Sequence, residues 1–305
     1  MIQALDLRGK PVNAPRLLAA MQSIRAIESA LLAAAVGGRF EGPLHVSLGE
    51  EAIAVGVAAG MGAEDVLLSN HRGHGHALAC GLDPVRVVAE ISGERGGYSH
   101  GRGGSMHIFD PTLGFLGTNG IVGGNAGVAM GVGLALQLEN RGRAAVVILG
   151  DGAMGTGVVY ESLNLAAVWS LPILFVCSSN GYAELTPTSK HLSSDPVERA
   201  KGFRLDSFRV DGVDVLKVAA AVGKALERVR HGRPGFIEAR CFRFGGHYVG
   251  DAGLYRPAGE DEQWRREHCP ITKLARRLGV PDAELDGATA ALNTEANILL
   301  RSVAA

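Results

Sequence analysis

Two uninterrupted apolar segments in the middle of the chain constrain its fold more than any other feature. Ala144-Ala145-Val146-Val147-Ile148-Leu149 runs directly into Gly150-Asp151-Gly152, and Leu171-Pro172-Ile173-Leu174-Phe175-Val176-Cys177 leads to Asn180. Runs of this length without polar alternation predict strands buried on both faces, as in a parallel sheet. Between them, Tyr160 to Trp169 reads as an amphipathic helix, so strand, helix and strand form one crossover unit. Parallel strands joined by one crossover finish at the same edge of the sheet. Asp151 and Asn180 are therefore predicted to emerge together.

That edge suits a hard cation. Asp151 offers carboxylate oxygens and Asn180 an amide oxygen, while the flanking glycines let the backbone turn sharply and approach a ligand closely. A magnesium ion carrying a diphosphate fits this donor set. Gly-Asp-Gly alone is also what a simple strand-ending turn requires, so a nucleotide- or phosphate-binding module is the competing reading. The chain lacks the phosphate-loop pattern Gly-x-x-x-x-Gly-Lys-Ser/Thr and has no Gly-x-Gly-x-x-Gly after its first strand.

Other segments extend the same pattern. Helices are predicted from about Arg16 to Ala35, where Leu17, Leu18, Met21, Ile24, Ile27, Leu31 and Leu32 recur at helical spacing, and at Glu50–Ala59, Pro84–Ile91 and Val215–Arg230. Strands are predicted at Asp65–Ser69, Ser207–Val210 and Gly235–Phe242. A glycine-rich loop spans Ser92 to Gly104, and a polar segment runs from Glu184 to Asp195. The nearly all-apolar helix Ala126–Leu138, with Gly127, Gly131 and Gly133, is expected to be buried, in part between subunits. The alternation predicts an α/β fold: a doubly wound, mostly parallel sheet with helices on both faces. One domain over residues 1–305 is expected, with an N-terminal helical extension and a C-terminal helical tail.

Composition narrows the partners. A net charge of −1 and a pI near 6.8 leave no electrostatic footprint for nucleic acid or an anionic membrane. Cys80, Cys177, Cys241 and Cys269 lie far apart with no Cys-x-x-Cys pair, which argues against a disulfide scaffold or a thiolate metal site. The start Met1-Ile2-Gln3-Ala4-Leu5-Asp6 does not read as a secretory signal, and no unbroken apolar run reaches ~20 residues. A cytoplasmic location is expected. The 43 glycines are about twice the usual ~7% and cluster before strands and helices, where backbone is brought close to something.

Longer motifs carry a family resemblance. Gly150-Asp151-Gly152-Ala153, Glu161-Ser162-Leu163-Asn164-Leu165-Ala166-Ala167, Leu171-Pro172 and Ser179-Asn180-Gly181-Tyr182-Ala183 resemble the thiamine diphosphate signature of the alpha subunits of 2-oxo acid dehydrogenases. The acetoin dehydrogenase alpha subunits are the closest-looking branch, and the resemblance runs from about Arg25 to Arg256. It implies a thiamine diphosphate- and Mg2+-dependent enzyme that cleaves acetoin or a 2-oxo acid such as pyruvate and passes the acyl group to lipoyl. By the same resemblance, Asp151, Asn180 and the carbonyl of Tyr182 coordinate magnesium within the segment Gly150-Asp151-Gly152-Ala153 to Tyr182. Arg72 binds the diphosphate, and His71, where many relatives have tyrosine, lies beside it. Gly120 and Val122 meet the aminopyrimidine ring through their carbonyl groups. His45 and His247 face the reacting thiazolium region, where histidines can relay protons. Gly101-Arg102-Gly103-Gly104-Ser105-Met106-His107 resembles the family's Gly-Lys-Gly-Gly-Ser-Met-His stretch and is expected to line the entrance.

Three departures stand out. Ser179-Asn180 replaces the usual Asn-Asn, Thr156 stands where an acidic or amide residue is common, and Tyr248 follows His247 where some relatives carry a phosphorylatable serine. A zinc site built from His71, His74 and His76 is disfavoured because no Cys or carboxylate lies near them in sequence. The resemblance further implies a separate beta chain that supplies the activating glutamate, an assembly of two alpha and two beta chains, and an inactive lone alpha chain. A carboligase subunit and a non-catalytic phosphate-binding paralogue are the alternative functions.

Overall fold

The computed structural model describes residues 2–40 and 42–303; Met1, where the leader reading begins, lies outside them. Helices α1 (Ala14–Val36) and α2 (Glu51–Gly60) precede a short strand β1 (Val66–Leu68), followed by α3 (His74–Ala79), α4 (Pro84–Ile91) and α5 (Gly124–Glu139). The central crossover is β2 (Ala145–Gly150), α6 (Gly157–Trp169) and β3 (Ile173–Ser179). A hairpin of β4 (Tyr182–Ala183) and β5 (Thr186–Pro187) leads through α7 (Thr188–His191) and α8 (Pro196–Gly202) to β6 (Asp206–Asp211), α9 (Val215–Val229) and β7 (Gly235–Arg240). Helices α10 (Glu260–His268), α11 (Pro270–Leu278) and α12 (Asp282–Val303) follow.

Five strands form one sheet in the order β1-β2-β3-β7-β6, and every neighbouring pair is parallel. The missing polar alternation now has its cause. Val146 and Ile148 of β2, Leu174 and Val176 of β3, and Ile237 of β7 pack into the core with α1, α2 and α9. Their neighbours Ala145, Val147, Leu149, Ile173, Phe175, Cys177 and Phe236 pack into a second core with α5 and α6. Both faces of each strand are covered, so each strand reads as continuously apolar. Register pairs Leu149 with Cys177 and Gly150 with Ser178, so β2 and β3 end level and deliver Asp151 and Asn180 to one edge.

Several boundaries differ from the sequence expectation. A 3-10 turn, Asp151–Gly155, sits between β2 and α6, and α6 starts at Gly157, three residues before the expected helix. Helix α3 forms where a loop was expected, and the polar segment 184–195 contains β5 and α7. The stretch 92–104 is organised by one buried carboxylate, Glu90, which accepts from the backbone N–H of Ser99, Gly101, Gly103 and Gly104 at 2.6–3.2 Å. The backbone donors of this loop are thus gathered on one residue of α4.

Helix α5 is not buried all round. Ala126, Ala129, Met130 and Leu136 face the core, but Val128 and Leu138 are 53% and 78% exposed, because no described element covers its outer side. Helix α1 starts at the cap Asn13, whose side chain accepts from the Arg16 N–H. Its 23 residues are long and apolar enough to cross a membrane, yet Leu17, Met21, Ile24, Ile27 and Leu31 all face the protein core. Helices α1 and α12 pack on each other. Cys80, Cys177, Cys241 and Cys269 form no disulfide.

Candidate active site

The ends of four parallel strands converge on one cavity of about 360 Å3. Residues after β1 bring Asn70, His71 and Arg72; after β2, Asp151 to Ala153; after β3, Asn180 and Tyr182; after β7, Arg243 and His247. This is where an open parallel sheet binds ligands, because the connections diverge outside the carboxyl ends of its strands. His45, Gly120, Val122 and Gly150 also line the cavity. Every site residue named from the sequence therefore meets in one place.

At one end Asp151 is buried, 1% exposed. Its Oδ1 accepts from the Gly152 N–H at 3.0 Å, and its Oδ2 accepts from the Gly181 N–H at 2.7 Å and the Thr188 hydroxyl at 2.9 Å. Burial pushes its pKa up to about 6, against the pull of these hydrogen bonds. A carboxylate so placed gains from a cation. Asn180 Nδ2 donates to Glu50 Oε1 at 2.9 Å and its Oδ1 accepts from the Tyr182 N–H at 3.2 Å, and the two bonds together fix the orientation of the amide. Gly181 adopts φ +87°, a conformation that turns the chain between these donors. A Cβ placed on Gly150 would meet nothing within 4 Å, so open space lies against the backbone between the strand and Asp151.

Arg72 is buried and has no ion-pair partner among the described residues. Its Nη1 donates to Val46 O at 2.9 Å, and its Nη2 donates to His247 O at 2.5 Å and lies 3.0 Å from His247 Nδ1. Arg243, 1% exposed, donates only to carbonyl oxygens of Gly245 and Glu184 and to the Tyr255 hydroxyl. Two buried guanidinium groups with no carboxylate are costly unless an anion joins them. Burial, reinforced by Arg243, lowers the Arg72 pKa to about 10.

Three histidines cluster in the same cavity. The His45 ring lies 4.8 Å from that of His71 and 5.0 Å from that of His247, and His71 and His247 are 5.5 Å apart. Burial, with Arg72 next, lowers their pKa values to about 4, 2 and 3 for His45, His71 and His247. All three are neutral at pH 7. His45 Nδ1 and His71 Nε2 have no hydrogen-bond partner among the described residues.

The other histidines of the His71-to-His76 segment turn away from this cluster. His74 Nδ1 lies 3.1 Å from Glu28 Oε2 and its Nε2 lies 2.9 Å from Ser105 Oγ, while His76 Nδ1 lies 3.2 Å from Ser69 Oγ. Glu28, distant in sequence and so outside any ligand spacing along the chain, is in direct contact with His74. Glu28 Oε1 also accepts from the Ser47 N–H and hydroxyl, so one buried carboxylate ties the segment carrying His45 to the loop carrying Ser105. Burial raises the Glu28 pKa, but His74 and Ser47 outweigh it and hold the group below its ordinary value. Thr156 caps the start of α6 and donates to Ala153 O at 2.8 Å.

Sequence reasoning missed Glu50, Arg243 and the Glu28–His74 pair. Glu50 stands just before α2, and Arg243 four residues before His247. Their only sequence signal is a charged residue in an otherwise apolar neighbourhood, whose partners are not local.

Comparison with known proteins agrees with this geometry. Residues 19–284 match the family described as dehydrogenase E1 component. The alpha subunit of acetoin:2,6-dichlorophenolindophenol oxidoreductase from Cupriavidus necator is 43% identical over 242 residues, covering 79% of this chain and 73% of the relative. Its Bacillus subtilis counterpart is 42% identical over 242 residues, with the same coverage. The pyruvate dehydrogenase E1 component subunit alpha of Zymomonas mobilis is 39% identical over 254 residues, covering 81% and 72%. A family match over most of the chain, together with relatives this similar over more than two thirds of both partners, establishes that the chain belongs to the dehydrogenase E1 component family.

Proposed function

We propose that this chain is the alpha subunit of a thiamine diphosphate- and Mg2+-dependent dehydrogenase that cleaves acetoin or a pyruvate-like 2-oxo acid. The observation that carries this reading is the meeting, in one cavity, of a hard-oxygen set and a buried arginine without a counter-ion. Asp151, Asn180 Oδ1 and the Tyr182 carbonyl would hold Mg2+, and Arg72 would bind the diphosphate oxygens. Gly150 keeps room against the backbone, and Gly120 and Val122 supply carbonyl groups at the far rim. Thiamine diphosphate, when bound, supplies a thiazolium carbon that adds to a carbonyl group and accepts the electron pair of the bond that breaks.

His45 and His247 would accept and return protons at the substrate oxygen. Burial first and Arg72 second lower their pKa values, and an anionic diphosphate would offset the Arg72 part of that shift. Acetoin is favoured slightly over pyruvate, because the two acetoin-oxidoreductase relatives are the more similar.

A separate beta subunit would complete the site. By the family resemblance, the glutamate that activates the aminopyrimidine would come from that chain. Ile121 and Val122 are exposed, as are Val128 and Leu138 on α5 and Val168 and Trp169 at the end of α6, an apolar surface suited to such a partner. An assembly of two alpha and two beta chains, with transfer of the acyl group to a lipoyl carrier, follows from the same reading.

Calorimetric titration with thiamine diphosphate and Mg2+, with and without the beta chain, tests it. Tight binding and acetoin- or pyruvate-dependent reduction of an artificial acceptor with both chains present is the expected result. No cofactor binding in either setting would overturn the proposal.

A further inference from the structure

The Gly120 end of the cavity is reached by a loop that has nothing apolar to anchor it. Ser99-His100-Gly101-Arg102-Gly103-Gly104-Ser105 contains no hydrophobic side chain, so burial of apolar surface cannot fix its path. Two buried polar groups do so instead. Glu90 of α4 is fully buried; its Oε2 accepts from the N–H of Ser99 at 2.6 Å and Gly101 at 3.0 Å, and its Oε1 from the N–H of Gly103 at 2.7 Å and Gly104 at 3.2 Å. Two bonds to each oxygen fill the ordinary acceptor capacity of a carboxylate. The tight wrap needs glycine, because Gly101 has φ +74° and a Cβ on Gly103 would strike the carbonyl of His107. At the end of the loop, His74 Nε2 lies 2.9 Å from Ser105 Oγ, and Glu28 stands behind the ring.

The residues that follow carry this position into the cavity. Met106 lines it, and a Cβ placed on Gly120 would find Met106 Sδ at 3.4 Å and His107 Cε1 at 3.9 Å. The Ile108 N–H donates to Thr118 Oγ1 at 2.9 Å and the Thr118 N–H donates to Ile108 O at 3.0 Å, so residues 106–108 run beside residues 118–120.

We propose that Glu90 is a positioning residue for the aminopyrimidine end of the cofactor site: by gathering residues 99–104 it sets Met106 and His107 against Gly120, and Ser105 locks the loop onto His74. The proposal rests on the thiamine diphosphate reading and goes beyond it, since neither Glu90 nor Ser105 lines the cavity. The diphosphate end is held independently. Asp151 is bonded to Gly152, Gly181 and Thr188, and Asn180 to Glu50 and Tyr182, none of them in this loop. Glutamine at position 90 keeps the shape but places an amide NH2 against two N–H donors, so two of the four bonds are lost.

The test compares two ligands in calorimetric titrations of the complex of this chain with its beta subunit: thiamine diphosphate with Mg2+, and inorganic diphosphate with Mg2+. Glu90→Gln should weaken thiamine diphosphate by about tenfold or more and Ser105→Ala by about threefold, while inorganic diphosphate changes by about twofold or less in both. In the cofactor-free chain, trypsin should cut Glu90→Gln faster than the parent after Arg95 or Arg102, which are both exposed. Ser105 is only partly buried, so Ser105→Ala decides the question if Glu90→Gln does not fold. Equal losses for the two ligands would reduce Glu90 and Ser105 to a general structural role and overturn the proposal, as would unchanged thiamine diphosphate affinity or unchanged cleavage in a folded Glu90→Gln. A parent complex that does not bind thiamine diphosphate would instead overturn the cofactor reading, and this proposal with it.

Discussion

Replacing Asp151 with asparagine should make the ligand-free chain more stable, although it removes the central metal ligand of the proposed cofactor site. Burial raises the Asp151 pKa from an ordinary 3.8 to about 6, so the ionised carboxylate is held in the native state at a cost. At about 1.4 kcal/mol per pH unit, that cost is about 3 kcal/mol once the group is ionised in both states. Asparagine has nearly the same shape, and its oxygen can keep the bonds from the Gly181 N–H and the Thr188 hydroxyl while its NH2 faces the Gly152 N–H. Losing that third bond returns about 1 kcal/mol, which leaves a net gain of about 2 kcal/mol. The sign with pH follows from a raised acid pKa. The destabilisation is complete above about pH 6 and disappears as the pH falls from about 6 toward 3.8, where native and unfolded carboxyl groups are both protonated. Urea unfolding of Asp151→Asn and the parent chain at pH 8 and pH 4.5, without divalent ions, reads the difference directly. The variant should be more stable at pH 8, and the gap should shrink at pH 4.5. Mg2+ with thiamine diphosphate should stabilise the parent and leave the variant unmoved. A variant equal to or weaker than the parent at pH 8 would refute the claim that the buried Asp151 charge destabilises the ligand-free chain.

Arg72→Gln should weaken binding of Mg2+-diphosphate by about 10- to 100-fold, the range for losing charge-assisted hydrogen bonds in a buried site; unchanged calorimetric affinity would remove Arg72 from the diphosphate site. Gly49→Ala should destabilise the fold by more than about 2 kcal/mol, because Gly49 has φ +92° and an added Cβ would sit 2.3 Å from Phe242 O. An unaltered urea midpoint would show that this contact relaxes freely. Glu28→Gln should cost about 3 kcal/mol, since it takes the charge from a buried carboxylate bonded to both Ser47 and His74. A loss below about 1 kcal/mol would mean that this pair does not hold the two segments together.

The sheet was legible because its signal is local. Strands β2 and β3 are covered on both faces, and that double burial is written as unbroken apolar runs. The crossover rule then places Asp151 and Asn180 together without knowledge of any other element. Helix α3 was not legible, because its six residues, His74-Gly75-His76-Ala77-Leu78-Ala79, contain glycine and have no side-chain cap. It is held by tertiary contacts, with its first and third residues anchored by Glu28 and Ser69. What covers the outer side of α5 was not legible for a related reason. An apolar helix shows that something must cover it, but composition does not say whether the cover belongs to the same chain.

The site divides along the same line. Residues proposed to meet a ligand through backbone or a short side chain, such as Gly150, Asp151 and Asn180, are tied to strand ends and can be found from the strands. Residues that set the charge of the cavity cannot, because their effect depends on what is missing around them. Arg243 would be unremarkable beside an aspartate; it matters because its described partners are two carbonyls and a hydroxyl. His71 illustrates the point most directly. By sequence it is a tyrosine position altered to another aromatic ring with a polar atom, and next to Arg72 it reads as a variant diphosphate contact. In the fold it closes a triangle with His45 and His247, residues that lie 26 positions before it and 176 after it. A substitution that looks conservative along the chain therefore gives the cavity three neighbouring imidazoles instead of two.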